Sequence, residues 1–592
     1  MRVSALLLFL AALLVAQEPI RFTVRISAPQ TNYIDVEAIV PTGGRAQVEL
    51  SMAVWTPYVI REYAKNVEGV TARTTHGAWL SIEKSRKNRW RIETNGSNPV
   101  VVSYRVYCHV MNVQDNWVDS EFALLNGQAT FLTLAGDTRR PHEVKLILPG
   151  GWKRSITAMP SVAHGGSHHY RAPDYETLVD SPIIAGNPAV YEFAVDGKRH
   201  LLVNVGEDGF WDGPRSVHDL TRMVREESRL WGGLPYEQYI FFNLLTEGGG
   251  GMEHANCSIF MASRWAMQNQ ERYRRWLDIA SHEYFHAWNV KRLRPAEFVP
   301  GEYETEEYTR DLGIAEGFTN YYAALELTRA GLFDEDELLS TVSHYIGQLQ
   351  TTPGRLVQSL AMSSFDTWIK FYRPDENTAN TAISYYEKGA VVGFLLDAEI
   401  RRATENRKSL DDVMRLALER YRTERGYTLR DFRGIVLEVA GADAASWFDA
   451  AFEGTAELKY DNALRWFGLQ FADAPHRGRG AWLGAVTKVD GQRLMVSQIP
   501  PKTPAAEAGL NAGDEVVAIG EHKIRADQWE GELANHHSGE KTSLLIARRG
   551  RLMKLEVTFG KIPAESWELL ANPDAAREAL AHRAEWDRAR SQ

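Results

Sequence analysis

Cysteine is nearly absent from this 592-residue chain, which carries Cys108 and Cys257 and no others. Two thiols exclude a disulfide scaffold and a cysteine-ligated zinc site. They are expected in different domains, as buried thiols rather than a bridge. Basic runs are lacking as well. With 67 Lys and Arg against 77 Asp and Glu, the formal net charge is -10, so nucleic acid is not an expected partner. Beyond the first residues no stretch approaches the ~20 apolar residues of a membrane span, so no transmembrane anchor is expected. Internal repeats and long low-complexity runs are missing too. What remains is ordinary globular composition, 44% hydrophobic and 24% charged. At roughly 150 residues per domain the length predicts about three or four domains.

The start of the chain is the exception. Arg2 precedes an apolar run over 5–15, and Ala16 offers a small residue for cleavage. That reads as a secretory signal peptide over 1–16, so the expected location is periplasmic or secreted. Residues 17–190 read as β-rich. Short, partly alternating segments such as 21–26, 33–39, 47–52 and 100–106 are separated by turn clusters at 41–44 and 95–99, the pattern of a sandwich of strands.

Helical periodicity dominates 191–465, with helices predicted over 217–231, 271–291, 312–330 and 386–403. One apolar strand, 239–245, interrupts it and runs into a glycine-rich loop at 247–251. In the helix predicted over 271–291, Tyr273, Trp276, Leu277, Ala280 and Tyr284 recur at helical spacing. His282 and His286 then share one face, about 6 Å apart. Each can give one imidazole nitrogen to a single zinc at about 2 Å. Glu283 leans beside that pair, where a carboxylate can take a proton from attacking water. A further ligand is needed, and Glu316 sits among apolar and small residues in LGIAEGFTNYY (312–322). A buried carboxylate requires a partner. The metal is one candidate, and an arginine such as Arg292 or Arg294 is the other. Short strands return over 466–562. There AGLNAGDEVVAI (508–519), following TPA (503–505), resembles the PDZ domain. Residues 563–592 read as a charged helical tail.

HEYFHAWNVKRLRP (282–295), followed by AEGFTNYY (315–322), resembles the glycyl aminopeptidase family of gluzincin metallopeptidases. Members often carry a β-rich N-terminal domain, a thermolysin-like catalytic domain and a C-terminal PDZ domain. The implied fold is a multidomain α+β chain: a β-rich N-terminal sandwich, a thermolysin-like, mainly helical catalytic domain, and a C-terminal PDZ-like β domain. WTPYVIREYA (55–64) resembles part of the family's N-terminal domain, without the glycine that often follows the proline.

The resemblance implies His282, His286 and Glu316 as ligands of one zinc ion and Glu283 as general base. The long gap between His286 and Glu316 should form a loop containing Pro295, Pro300 and Gly301. GGMEH (250–254) resembles the exopeptidase segment in which backbone on a sheet edge, here Gly251 and Met252, binds an extended substrate. Glu253 would take the free α-amino group. The departure is His254, where other aminopeptidase families commonly have Asn. SYYEKGA (384–390) resembles the segment that aims a tyrosine at the developing oxyanion. Motif alignment favours Tyr386, with Tyr385 as its packing neighbour; spacing alone does not separate them.

The implied activity is a zinc-dependent aminopeptidase releasing small N-terminal residues, glycine and alanine, from peptides. A zinc endopeptidase follows if Glu253 does not close the non-primed side. From another class, the chain would be a peptide-binding PDZ scaffold with a vestigial metal site. The intact set of His282, Glu283, His286, Glu316 and Tyr386 argues against that decay. Expected partners are peptide substrates and a C-terminal peptide at the PDZ groove, whose carboxylate-binding loop would lie near WLGA (482–485).

Overall fold

The computed structural model describes residues 17–588 apart from 57, 423–424, 474–479 and 564–565. The expected signal peptide, 1–16, lies outside the described residues. The chain divides into two compact units. One comprises Met1–Val54, Arg61–Val190 and Val203–Gly206, and the other Trp55–Ile60, Tyr191–Leu202 and Glu207–Gln592.

The first unit is β-rich. Its largest sheet has seven strands, in the order His169–Ala172, His142–Ile147, Ile20–Arg25, Tyr33–Val40, Val100–Tyr107, Val67–Thr74 and Trp79–Leu80. Alternation explains it: in Ile20–Arg25 the residues Ile20, Phe22 and Val24 are buried while Arg21 and Arg25 face water, as a strand with period two requires. A four-stranded sheet built on Gln47–Ser51 and Arg89–Glu93 and another built on Phe122–Leu125 and Ile183–Gly186 complete the unit. Cys108 lies in this unit and Cys257 in the other, both buried as thiols.

Apart from 189–190 and 203–205, the second unit carries a five-stranded sheet in the order Ala189–Val195, Lys198–Val205, Gln238–Leu245, Cys257–Ala262 and Gly250–Glu253. Gln238–Leu245 is buried along nearly its whole length and pairs in parallel with Cys257–Ala262, which is why it reads as a continuous apolar run. Gly250–Glu253 is the edge strand, antiparallel to Cys257–Ala262. Against the sheet lies the helix Gln270–Phe285. It is started by Asn269, whose side chain accepts from the Arg272 amide at 3.0 Å, an ordinary N-cap. It is anchored by Trp276, whose indole donates to Asn243 at 3.1 Å. Phe318–Arg329 and Tyr385–Ala403 pack beside it in one apolar core.

Two helical expectations are corrected. The helix predicted over 271–291 ends at Phe285, with His286 as its C-cap. The helix predicted over 312–330 begins as a π-helical turn, Gly313–Gly317, and becomes α-helical only at Phe318. Glycine contact accounts for the π turn, since a Cβ on Gly317 would meet the Gly389 Cα at 2.4 Å. The two backbones touch there, and the wide turn accommodates the approach.

After the helices the chain forms a PDZ-type β region. Its main sheet runs Val486–Asp490, Arg493–Gln498, Glu515–Ile519, Lys541–Arg548, Arg551–Thr558. It has its own core of Leu494, Val496, Ala505, Leu510, Val516, Leu544 and Ile546. The expected helical tail differs as well. Leu569–Ala571 is a strand, antiparallel to Leu469–Phe471, and only Arg577–Trp586 is helical. Leu569 and Trp586 are the reason: both are buried, and the Trp586 indole donates to the Tyr321 hydroxyl at 2.7 Å. No helix among the described residues is long and apolar enough to cross a membrane.

Candidate active site

Three donor atoms converge where Gln270–Phe285 meets the π turn. His282 and His286 bring their Nε2 atoms to 3.0 Å of each other. Glu316 Oε2 lies 3.4 Å from the first and 3.2 Å from the second. All three donors fall within 4.8 Å of one another. The His286 Nδ1–H donates to the Asn289 carbonyl at 2.7 Å, which leaves the Nε2 lone pair for a ligand. The Asn289 amide in turn donates to the carbonyls of Ile314 at 2.9 Å and Ala315 at 3.2 Å, and to Thr319 Oγ1 at 3.1 Å. One asparagine thus ties the end of the histidine helix to the turn that presents Glu316. The helix stops at Phe285 because the Asn289 carbonyl turns back to His286 and its side chain is spent on the π turn.

The residues fit a divalent cation. Glu316 is buried, and its Oε2 accepts no hydrogen bond. A bare carboxylate oxygen in the interior is costly. Two imidazole nitrogens and one carboxylate oxygen form the donor set that zinc takes in catalytic sites. The arginine alternative fails for Arg292, which donates instead to the carbonyls of Ala255, Ala287 and Pro235. Burial acts against the Glu316 charge, but the neighbouring His286 and His282 prevail and hold the carboxyl below the usual carboxylate range.

Glu283 points from the same helix toward the edge strand. A Cβ on Gly251 would lie 2.0 Å from Glu283 Oε1, so a bare glycine makes room for this carboxyl. Burial pushes Glu283 well above the usual range; His286 opposes the shift, and Glu253 and Glu316 add to it. A cation at the three donors would draw it back down, toward the range in which a carboxyl trades protons. Glu253 ends the strand, half-buried and opposite Ser258 in register. Its charge acts on His282, His286 and Glu283. Met252, on the same strand as Glu253, pairs with Ile259 of the neighbouring Cys257–Ala262, and the far edge of the Met252 strand is the end of the sheet.

The structure separates the two tyrosines. The half-buried Tyr386 ring lies 6.3 Å from the His282 ring. Tyr385 is fully buried, 4.6 Å from the Tyr386 ring, and its hydroxyl reaches Tyr372 at 3.5 Å. Burial first, then the Glu316 charge, raises the Tyr386 phenol well above its ordinary value.

Sequence reasoning passes over Asn289 and Tyr58. Tyr58 donates from its hydroxyl to Glu316 Oε1 at 2.8 Å, inside the protein. Both residues lie in segments quoted above for their resemblance, but neither belongs to the His, Cys, Asp and Glu set from which zinc ligands are read, so spacing arguments do not reach them.

Residues 21–187 match the Peptidase M61 N-terminal domain, 275–392 the M61 glycyl aminopeptidase and 480–559 a PDZ domain. Among solved structures the chain is similar to an aminopeptidase N family protein from Idiomarina loihiensis. The two share 27% identity with a TM-score of 0.88, covering 96% of this chain and 99% of that one. It is also similar to an M1 zinc metallopeptidase from Deinococcus radiodurans, with 13% identity and a TM-score of 0.49 over 75% of this chain and 95% of that one. No protein of curated function matches it by sequence. With both M61 matches in order along the chain, and the PDZ match after them, this chain is similar to the M61 glycyl aminopeptidase family over both of those matched segments, and it is a metallo-aminopeptidase.

Proposed function

We propose that this chain is a zinc-dependent aminopeptidase that removes small N-terminal residues, glycine and alanine, from peptides. One ion per chain would be held by His282, His286 and Glu316. The observation that supports this is the meeting of three ligand atoms within 4.8 Å, beside a carboxyl that lies against the glycine of an edge strand. Bound there, the cation would polarise the scissile carbonyl and acidify water.

The chain's own residues do the rest. An extended peptide adds to the outer edge of Gly250–Glu253, using the backbone of Gly251 and Met252. The Glu253 carboxylate accepts from the α-ammonium group in a charge-assisted bond. That contact sets the scissile bond one residue in from the amino terminus. The Glu283 carboxylate takes a proton from attacking water and delivers it to the leaving amine. The Tyr386 hydroxyl donates to the carbonyl oxygen as negative charge develops on it. The preference for small residues rests on the family, whose description is glycyl aminopeptidase.

The test is one small-residue peptide offered with a free and with an acetylated amino terminus, with Glu283→Gln run beside the zinc-loaded wild type. Stepwise trimming of the free peptide alone, absent in the variant, is the expected result. Internal cleavage of both forms would leave the chemistry and remove the role of Glu253. Equal inertness of wild type and variant would remove the enzyme reading in favour of a peptide-binding scaffold.

A further inference from the structure

We infer that Tyr58 is a positioning residue of the metal centre, fixing Glu316 so that one oxygen alone faces the two histidines. The inference rests on the metallopeptidase reading above.

Tyr58 comes from a part of the sequence that otherwise builds the first unit, yet Trp55–Ile60 belongs to the second. It stands between two short strands, Trp55–Thr56 and Val59–Ile60, paired antiparallel with Trp55 opposite Ile60 and Thr56 opposite Val59. The Trp55 amide donates to the Tyr303 carbonyl at 3.0 Å. Tyr58 takes a positive φ of 79°, in a region that bulky side chains avoid. Such a conformation persists where surrounding structure over-determines it, and functional sites are where it gathers. The surroundings here are specific. The ring is 7% exposed and lies 6.0 Å from Phe298 and 6.5 Å from Tyr385, and the hydroxyl is spent on Glu316 Oε1.

That bond divides the labour within one carboxylate. Oε1 is held by the phenol, while Oε2 is left without a hydrogen bond beside both histidines. Without the phenol the carboxylate is free to rotate and to present either oxygen. Partners of this kind, one step removed from the metal, commonly govern its affinity. The Tyr58 hydroxyl is therefore unavailable to a substrate oxygen, which separates its role from that of Tyr386.

Tyr58→Phe removes the hydroxyl and keeps the ring and its packing. The zinc affinity of the full chain, read by competition with a chromophoric chelator, should fall about 10–100-fold, in addition to the lower metal-free melting temperature that the loss of one buried hydrogen bond brings. Hydrogen exchange gives an independent readout. In the wild type, zinc should protect amides of Trp55–Ile60, because a ligand stabilises what holds it, and Tyr58→Phe should lose that protection. A variant that binds zinc as tightly as the wild type overturns the inference, as does one that changes only the metal-free melting temperature. A wild-type protein that binds no zinc at all overturns the metallopeptidase reading along with it.

Discussion

Gly251 and Glu283 occupy one another's space: a Cβ on the glycine would lie 2.0 Å from Glu283 Oε1, 2.3 Å from its Cδ and 2.4 Å from its Cγ. The proposed base and the strand proposed to hold the substrate are therefore a single fitted pair. Gly251→Ala should displace the carboxyl and lower kcat by about 100-fold or more, approaching the loss from removing a general base. Zinc content, measured on the purified variant, should stay at the wild-type level.

Glu253 is expected to act on binding of the amino terminus. A hydrogen bond to a charged group contributes about 1.5–3 kcal/mol, so Glu253→Ala should lower kcat/KM by about 10–100-fold on peptides with a free amino terminus. The metal-binding isotherm should not move. A proportional loss on acetylated peptides would instead assign Glu253 a role in the chemistry.

Asn289 spends its amide on two carbonyls and a hydroxyl of the π-turn region. Asn289→Ala would leave those buried acceptors short of a donor, at about 1–3 kcal/mol. Denaturant unfolding should register that loss, and chelator competition should register weaker zinc binding as Glu316 drifts from the histidines.

Away from the three donor side chains, Glu227 is fully buried with no hydrogen bond to either carboxyl oxygen. Burial, then the charge of Glu326, raises it well above its ordinary value. Burial likewise raises Glu326, to about 8, against the pull of Arg329. A carboxyl raised in the folded state binds more protons there than in the unfolded chain. Its contribution is intact below the ordinary carboxylate range and is lost as pH rises toward the folded value, at about 1.4 kcal/mol per pH unit for each group. Glu227→Gln should therefore gain stability relative to wild type as pH rises. Melting temperatures of both proteins across that range are the check.

What the sequence makes legible follows the range of the forces involved. His282 and His286 are read from helical spacing, a local signal; the charge of Glu316 among small residues is local too, but it leaves metal and arginine open as partners, and the family resemblance is what makes it a ligand. The PDZ strands and the alternating strands of the first unit are local in the same sense. Tyr58 is not, since 258 positions separate it from the carboxylate it holds, and its segment reads as part of the β-rich N-terminal domain, with nothing local to tie it to the metal site. Nor is the end of the histidine helix at Phe285, because periodicity continues past it while a tertiary bond from Asn289 decides the stop. The tail reads as charged helix because its apolar anchors, Leu569 and Trp586, are few and widely spaced.

The pairing of Leu469–Phe471 with Leu569–Ala571 makes the PDZ region a loop grown from the catalytic unit rather than a bead strung after it. Chain enters and leaves it side by side, about 5 Å apart as antiparallel neighbours are. Cutting the protein before the PDZ region would also discard Trp586, pulling a fully buried ring and its bond to Tyr321 out of the catalytic core. Excising the loop and rejoining its two ends would spare them. The catalytic unit is thus finished only when the last helix comes home, and a ribosome that has passed every catalytic residue has not yet made a complete enzyme core.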